Sequence, residues 1–157
     1  MDASIINQYS TGGAKLKAAI AGLSREQLLA VPIPGKWSIQ QVVIHLADAD
    51  LILSDRMKRV IAEEKPALLA FDQDAFLARL HCDAQPADEA AALFDQNRRL
   101  FARVLNALPA EIFERIGIHS ERGPMTLRDI LTMTVRHLDH HLKFIAEKRQ
   151  RLVGSAV

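Results

Sequence analysis

The stretch Arg136-His137-Leu138-Asp139-His140-His141-Leu142-Lys143-Phe144-Ile145 puts three of the chain's six histidines within one and a half turns of what reads as a helix. At about 100° per residue, His137 and His141 share a face one turn apart, where both imidazoles can reach a single metal ion. With His137 set at zero, the apolar side chains of Ile130, Leu131, Met133, Leu138, Leu142 and Ile145 fall in an arc from roughly −40° to +160°. His141 lies inside that arc. His140 lies just beyond its edge, towards Asp139, Lys143 and Arg136, so the pair facing the interior is His137 and His141. Two buried imidazoles read either as core side chains, each with its own hydrogen-bond partners, or as a pair of ligands; a third histidine facing them favours the second reading.

That third histidine lies on another amphipathic helix. Lys36-Trp37-Ser38-Ile39-Gln40-Gln41 reads as a helix start, with Ser38 as N-cap and Gln41 completing a capping box. From Ile39 to Ile61 the apolar positions trace one face over about six turns, and His45 falls on it between Val42 and Ala49. Asp48 sits at the edge of this face, where it reads as a group that orients His45 or exchanges a proton with bound water, or as a solvated carboxylate. Arg56 projects in the direction of His45 about three turns further on, suited to an anionic substrate or to an ion pair with a facing carboxylate. Three neutral imidazoles leave coordination positions open, as a catalytic site requires. Zn²⁺ and Ni²⁺ both suit such ligands.

The remaining segments complete a helical framework. A first helix is expected from about Ile5, loosened at Gly12-Gly13, followed by a short turn capped by Ser24 and stopped by Val31-Pro32-Ile33-Pro34-Gly35. Glu63-Glu64-Lys65-Pro66 ends the second long helix, and the segment to Gln85 reads as a long, partly helical connection fastened by Phe71, Phe76, Leu77 and Leu80, with Asp72 as a cap. His81 and Cys82 diverge there as sequence neighbours do, and read as structural. The third long helix opens at Pro86 and runs to Leu108, with Asn97, Arg98, Arg99 and Arg103 as a solvated polar side. His119 falls in a loop and reads as a surface histidine, with fourth ligand or lid residue as the sharper option. Thr126 and Asp129 begin the last helix, which runs to about Arg151. Four amphipathic helices, no strand, and one long crossover between the second and third predict an all-α four-helix bundle in a single domain over 1–157.

Composition narrows the function classes. The chain has 157 residues, 49% of them hydrophobic, with 20 Lys and Arg against 19 Asp and Glu. That balance offers no electrostatic footprint for nucleic acid. No apolar run approaches the ~20 residues of a membrane span, and the N-terminus lacks a basic region followed by an apolar core, so a cytoplasmic protein is expected. A lone cysteine, Cys82, excludes an internal disulfide and a thiolate cage, leaving nitrogen and oxygen as metal ligands. Outer apolar positions at Ile44, Leu51 and Leu142 lead to the expectation of a homodimer.

Three segments together resemble a known family. Gly35-Lys36-Trp37-Ser38-Ile39 with Val42-Val43-Ile44-His45-Leu46-Ala47-Asp48, then His119-Ser120-Glu121-Arg122-Gly123-Pro124-Met125-Thr126-Leu127, then His137-Leu138-Asp139-His140-His141 are similar to the DinB superfamily, nearest its YfiT-like branch of metal-dependent hydrolases. The resemblance implies a four-helix bundle with a divalent metal, commonly nickel or zinc, held by His45, His137 and His141, with His140 outside the set. It also implies a small-molecule substrate, and either hydrolysis or transfer involving a low-molecular-weight thiol such as bacillithiol or mycothiol. The chain has no nucleophile elbow and no Gly-rich phosphate loop, so the ion itself is expected to activate water or thiol, with Asp48 as supporting acid or base. The rival from a different class is a non-catalytic bundle in which the metal joins the second helix to the fourth; a stress-associated DNA-binding role is disfavoured by the charge balance.

Overall fold

The computed structural model describes residues 3–154. Four long helices form a bundle: α1 (Ala3–Ile20), α3 (Ile39–Ala62), α5 (Ala87–Ala107) and α6 (Leu127–Gly154). The short α2 (Arg25–Leu29) follows α1, and α4 (Gln73–Arg79) lies in the crossover between α3 and α5. Both α1 and α3 pack against α5 and α6, so the first two long helices lie across a diagonal from one another. The expected caps are present. Ser38 Oγ accepts from the Gln41 amide at 3.1 Å while Gln41 Oε1 accepts from the Ser38 amide at 2.9 Å, and Ser24 with Gln27 repeats the arrangement. Thr126 Oγ1 accepts from the Asp129 amide at 3.0 Å at the start of α6. No described helix is long and apolar enough to cross a membrane.

A small sheet, absent from the sequence reading, joins two connections. Strand β1 (Ala67–Leu68) pairs in parallel with β2 (Ile116–His119), which pairs antiparallel with β3 (Gly123–Thr126). Strands this short carry no usable alternation, and Gly117 and Pro124 within them argue against strands on composition. Gly117 is there because the sheet lies on the bundle: a Cβ at that position would stand 2.7 Å from Leu68 Cδ1 and 2.9 Å from Val60 Cγ2. Its consequence is positional, because the register Leu68↔His119 fastens the crossover beside the β2–β3 turn.

Three other readings are corrected: the looseness of α1, the exposure of Arg98 and the outer position of Ile44. Helix α1 runs unbroken through Gly12-Gly13. These glycines permit close approach: a Cβ on Gly12 would lie 2.6 Å from Arg98 Nη1, and one on Gly13 would run into the backbone and side chain of Asp95. Arg98 is not part of a solvated side but 1% exposed, its Nε donating to Asp50 Oδ1 at 2.6 Å; Arg99 and Arg103 are exposed as expected. Of the positions behind the homodimer expectation, Ile44 is buried against Leu77 and Cys82 of the crossover, Leu142 is half-buried and Leu51 remains 41% exposed. Cys82 itself is buried and burial raises its thiol pKa, as suits a structural residue.

Because the Gly13 contact is with backbone, it cannot relax by a rotamer change. Gly13→Ala is expected to destabilise the protein by about 2 kcal/mol or more in chemical denaturation. An unchanged unfolding midpoint would refute so close an approach of α1 to α5.

Candidate metal centre

Helices α3 and α6 bring His45, His137 and His141 to one point. His137 Nε2 stands 3.1 Å from His45 Nε2 and 3.1 Å from His141 Nε2, and one ligand atom from each ring lies within 4.8 Å of the others. A neutral imidazole nitrogen either donates one proton or accepts with one lone pair, so His137 Nε2 cannot make good hydrogen bonds to both neighbours. Two nitrogens on a tetrahedral Zn²⁺ at 2.0–2.1 Å would be about 3.3 Å apart, close to the separation observed. The three-nitrogen donor set therefore fits a divalent cation. His141 Nδ1 is buried without a protein partner, so the hydrogen bond that usually orients such a ligand is missing at that ring.

The surroundings keep these rings neutral. Burial pushes the pKa of each of the three down to about 4, and another imidazole of the cluster adds to the effect at each ring. Trp37 helps close the site: its ring lies parallel to His141 at 6.3 Å between centroids and 5.0 Å from His45. Phe71 stacks on His45 at 6.5 Å from the crossover side. His140 is exposed, packed on Phe144 at 4.5 Å, and is not one of the converging histidines.

A cavity of about 270 Å³ opens beside the cluster. On α3 it is lined by His45, Ala49, Leu53 and Arg56, a stripe at helical spacing; Ala70, Phe71 and Gln73 of the crossover, His119, Glu121 and Arg122 of the β2–β3 region, and Met133 and His137 of α6 complete it. The structure thus brings Arg56 and His119 to the cavity but not into the three-histidine cluster. His119 is buried, not on the surface as expected. Its Nδ1 accepts from the Glu121 amide at 3.2 Å, leaving Nε2 to carry the proton of the neutral ring. Burial, then Arg56 and Arg122, lower its pKa against the pull of Glu121.

Asp48 is half-buried one turn after His45, and burial raises its carboxyl pKa. It does not line this cavity; Glu121 is the carboxylate that does. Phe71 and Arg122 had no functional reading in the sequence. The available signal for Arg122 was its place in the Glu121-Arg122-Gly123-Pro124 turn directly after His119. Among the described residues, Asp139 approaches Lys15 at 3.5 Å.

The depressed histidine pKa values carry a stability consequence. Between about pH 6.5 and pH 4 the unfolded chain takes up protons that the folded cluster refuses, so folding stability is full above about pH 6.5 and declines as pH falls towards 4. Chelator-treated protein should accordingly show a melting temperature that falls across this window, with a smaller fall in His137→Ala. A flat wild-type profile from pH 7 to 4.5 would contradict the burial of neutral rings.

Comparison with known proteins follows the same lines. A protein of Bacillus licheniformis, provisionally named a metal-dependent hydrolase, is 31% identical over 138 residues, covering 87% of this chain and 78% of its own. YfiT of Bacillus subtilis, named in the same way, is 29% identical over 140 residues, covering 88% and 79%. The solved structure of YfiT, described as a probable metal-dependent hydrolase with an unusual four-helix bundle topology, matches with a TM-score of 0.89 at 28% identity, covering 95% of this chain and 86% of that one. The model of the DinB superfamily matches residues 8–145. With its bundle and its relatives agreeing over nearly the whole length, the chain belongs to the DinB superfamily.

Proposed function

We propose that His45, His137 and His141 hold one divalent ion, Zn²⁺ or Ni²⁺, and that the protein is an enzyme acting on a small molecule, either by hydrolysis or by transfer involving a low-molecular-weight thiol. The observation that carries this reading is the cavity, because it reaches two of the three converging histidines. A metal serving only to join α3 to α6 has no need of such a space. A divalent cation held there makes water or a thiol an effective nucleophile near neutral pH. The chain's own residues supply the rest. The three imidazoles, kept neutral by burial, are free of protons that would compete for the ligand positions. Trp37 and Phe71 exclude bulk water from the rings they cover, and the apolar stripe of Ala49 and Leu53 receives the body of the substrate. Asp48 supports His45 from the adjacent turn, or takes a proton during turnover.

Metal analysis tests the ligands. Wild-type protein should carry about one ion per chain; His137→Ala and His141→Ala should lose stoichiometric metal, and His140→Ala should keep most of it. Equal losses from all three variants would overturn the assignment. A screen of ester and amide substrates, and of thiols with electrophilic acceptors, then separates hydrolysis from transfer, and no turnover of any kind by metal-loaded protein would count against an enzyme.

The two carboxylates near the cluster give different outcomes. If Asp48 supports His45, Asp48→Asn should weaken metal affinity by about 10- to 100-fold. If it accepts the proton, metal should stay while turnover falls roughly 100-fold. Glu121→Gln, measured in parallel, identifies the base if it alone lowers turnover at full metal content.

A further inference from the structure

We propose that Arg56 and Arg122 form a carboxylate-binding subsite in the cavity, so that the substrate is a small molecule bearing one carboxylate on a short apolar body. The identification of the ligand as substrate rests on the function proposed above. Binding of the carboxylate does not.

Arg56 is the first observation. It is 6% exposed, its Nη2 donates to the Leu69 carbonyl, and its Nε is buried without any partner. Among the described residues no carboxylate lies within ion-pair distance of it. Its neighbours on the same and facing helices are served differently: Arg59 reaches Asp55 at 2.8 Å, and Arg98 reaches Asp50 at 2.6 Å. A buried guanidinium with no carboxylate in direct contact is costly, and the cost is relieved when an anion enters and pairs with it. Arg122 adds a second cation to the same cavity; burial first, and then Arg122, lower the pKa of Arg56 against the pull of Glu121 and Asp55. Its Nη1 donates to Met133 Sδ at 3.1 Å, a weak acceptor that a carboxylate oxygen would outcompete.

The surrounding charges select the kind of anion. Glu121 lines the cavity without forming an ion pair with either arginine among the described residues. At the Arg56 end of the cavity, away from the histidines, two guanidinium groups against Glu121, with Asp55 also acting on Arg56, leave at most one net positive charge, which suits a monoanion and disfavours a dianionic phosphate. His119, with its proton on Nε2, is a neutral third donor in the same lining.

Spacing selects the body. Arg56 follows His45 by eleven residues, about 16 Å of helix axis, and a helical arginine slants back towards the N-terminus. His45 slants the same way, so on the order of 10–15 Å separates a carboxylate on Arg56 from the histidine cluster. The apolar part of the lining is Ala49, Leu53, Ala70, Phe71 and Met133, with Gln73 as a neutral polar side chain beside them.

The test uses full-length, metal-loaded protein and titration calorimetry with 4-phenylbutyrate, its neutral isostere 4-phenylbutyramide, and inorganic phosphate. The carboxylate should bind at least ten-fold tighter than the amide and tighter than phosphate. Arg122→Ala and Arg56→Gln should each remove most of that preference while metal content, measured on the same samples, is unchanged. Arg122 is exposed, so its variant decides the matter if the Arg56 variant fails to fold. Equal binding of carboxylate and amide, tighter binding of phosphate, or a carboxylate preference that survives Arg122→Ala would overturn the subsite. The same titrations on His137→Ala separate the two readings. A carboxylate preference persisting there, with wild-type protein that binds no metal, refutes the metal assignment and leaves the subsite standing. Stoichiometric metal with no carboxylate preference refutes the subsite alone.

Discussion

The guanidinium of Arg98 touches all four long helices. From α5 it donates to Asp50 on α3 at 2.6 Å and to the Thr134 carbonyl on α6 at 3.2 Å, and its carbon lies 4.8 Å from the centre of the Tyr9 ring on α1. Phe94, one turn before it, covers it at 4.1 Å. Removing one partner of such a buried pair typically costs about 3–5 kcal/mol, because the other charge is left stranded. An apolar side chain in place of Arg98 would fill the volume but would not specify how α3 lies against α6. That relation is what the three-histidine cluster needs, since Asp50 is five residues after His45 and Thr134 is three before His137. The contact that orders the core therefore also sets the register of the histidines, and the absence of a side chain at Gly12 is the condition for it.

A bundle held in this way would offer its histidines only a gap between two helices. The crossover turns that gap into a cavity. Gln40 on α3 donates to the Cys82 and Gln85 carbonyls, and Ile44 is covered by Leu77 and Cys82, so the crossover is anchored by both polar and apolar contacts near His45. At its other end the pairing of β1 with β2 and the bond from the Ala70 amide to Ser120 Oγ at 3.0 Å fix Phe71 opposite the β2–β3 turn. His119, Glu121 and Arg122 reach the cavity from that turn. Two segments distant in sequence thus supply the walls that the helices lack.

Periodicity and caps made the framework readable. A 3.6-residue repeat shows which face of a helix is buried, so it separated His137 and His141 from His140 and placed His45 among apolar neighbours. The Ser38 and Ser24 capping boxes follow from local chemistry alone, and both are formed. What a repeat does not show is which helix lies opposite. Arg98 read as solvated because its acceptor, Asp50, is on another helix, and Gly12-Gly13 read as a weakness because the close helix–helix contact that requires glycine was invisible from α1 alone. His119 read as a surface group for a similar reason. Its burial comes from a two-residue strand that no propensity argument detects, together with an arginine three turns beyond His45 on a different element.

Charge connects these features to chemistry. Three neutral imidazoles contribute no negative charge to a bound dication, so its full charge has to be balanced by what enters the cavity or by carboxylates close to it. Asp48 follows His45 by one turn and Glu121 lines the cavity, and they occupy opposite situations. Asp48, three residues after His45, lies off the stripe that runs through Ala49, Leu53 and Arg56, and burial resists its ionisation. Glu121 lines the cavity together with Arg56, Arg122 and His119. A proton accepted beside the histidines therefore suits Asp48, whose raised pKa favours holding it. On the function proposed above, Asp48 would handle the proton, while Glu121, in the cavity lining with Arg56 and Arg122, would bear on which anion enters.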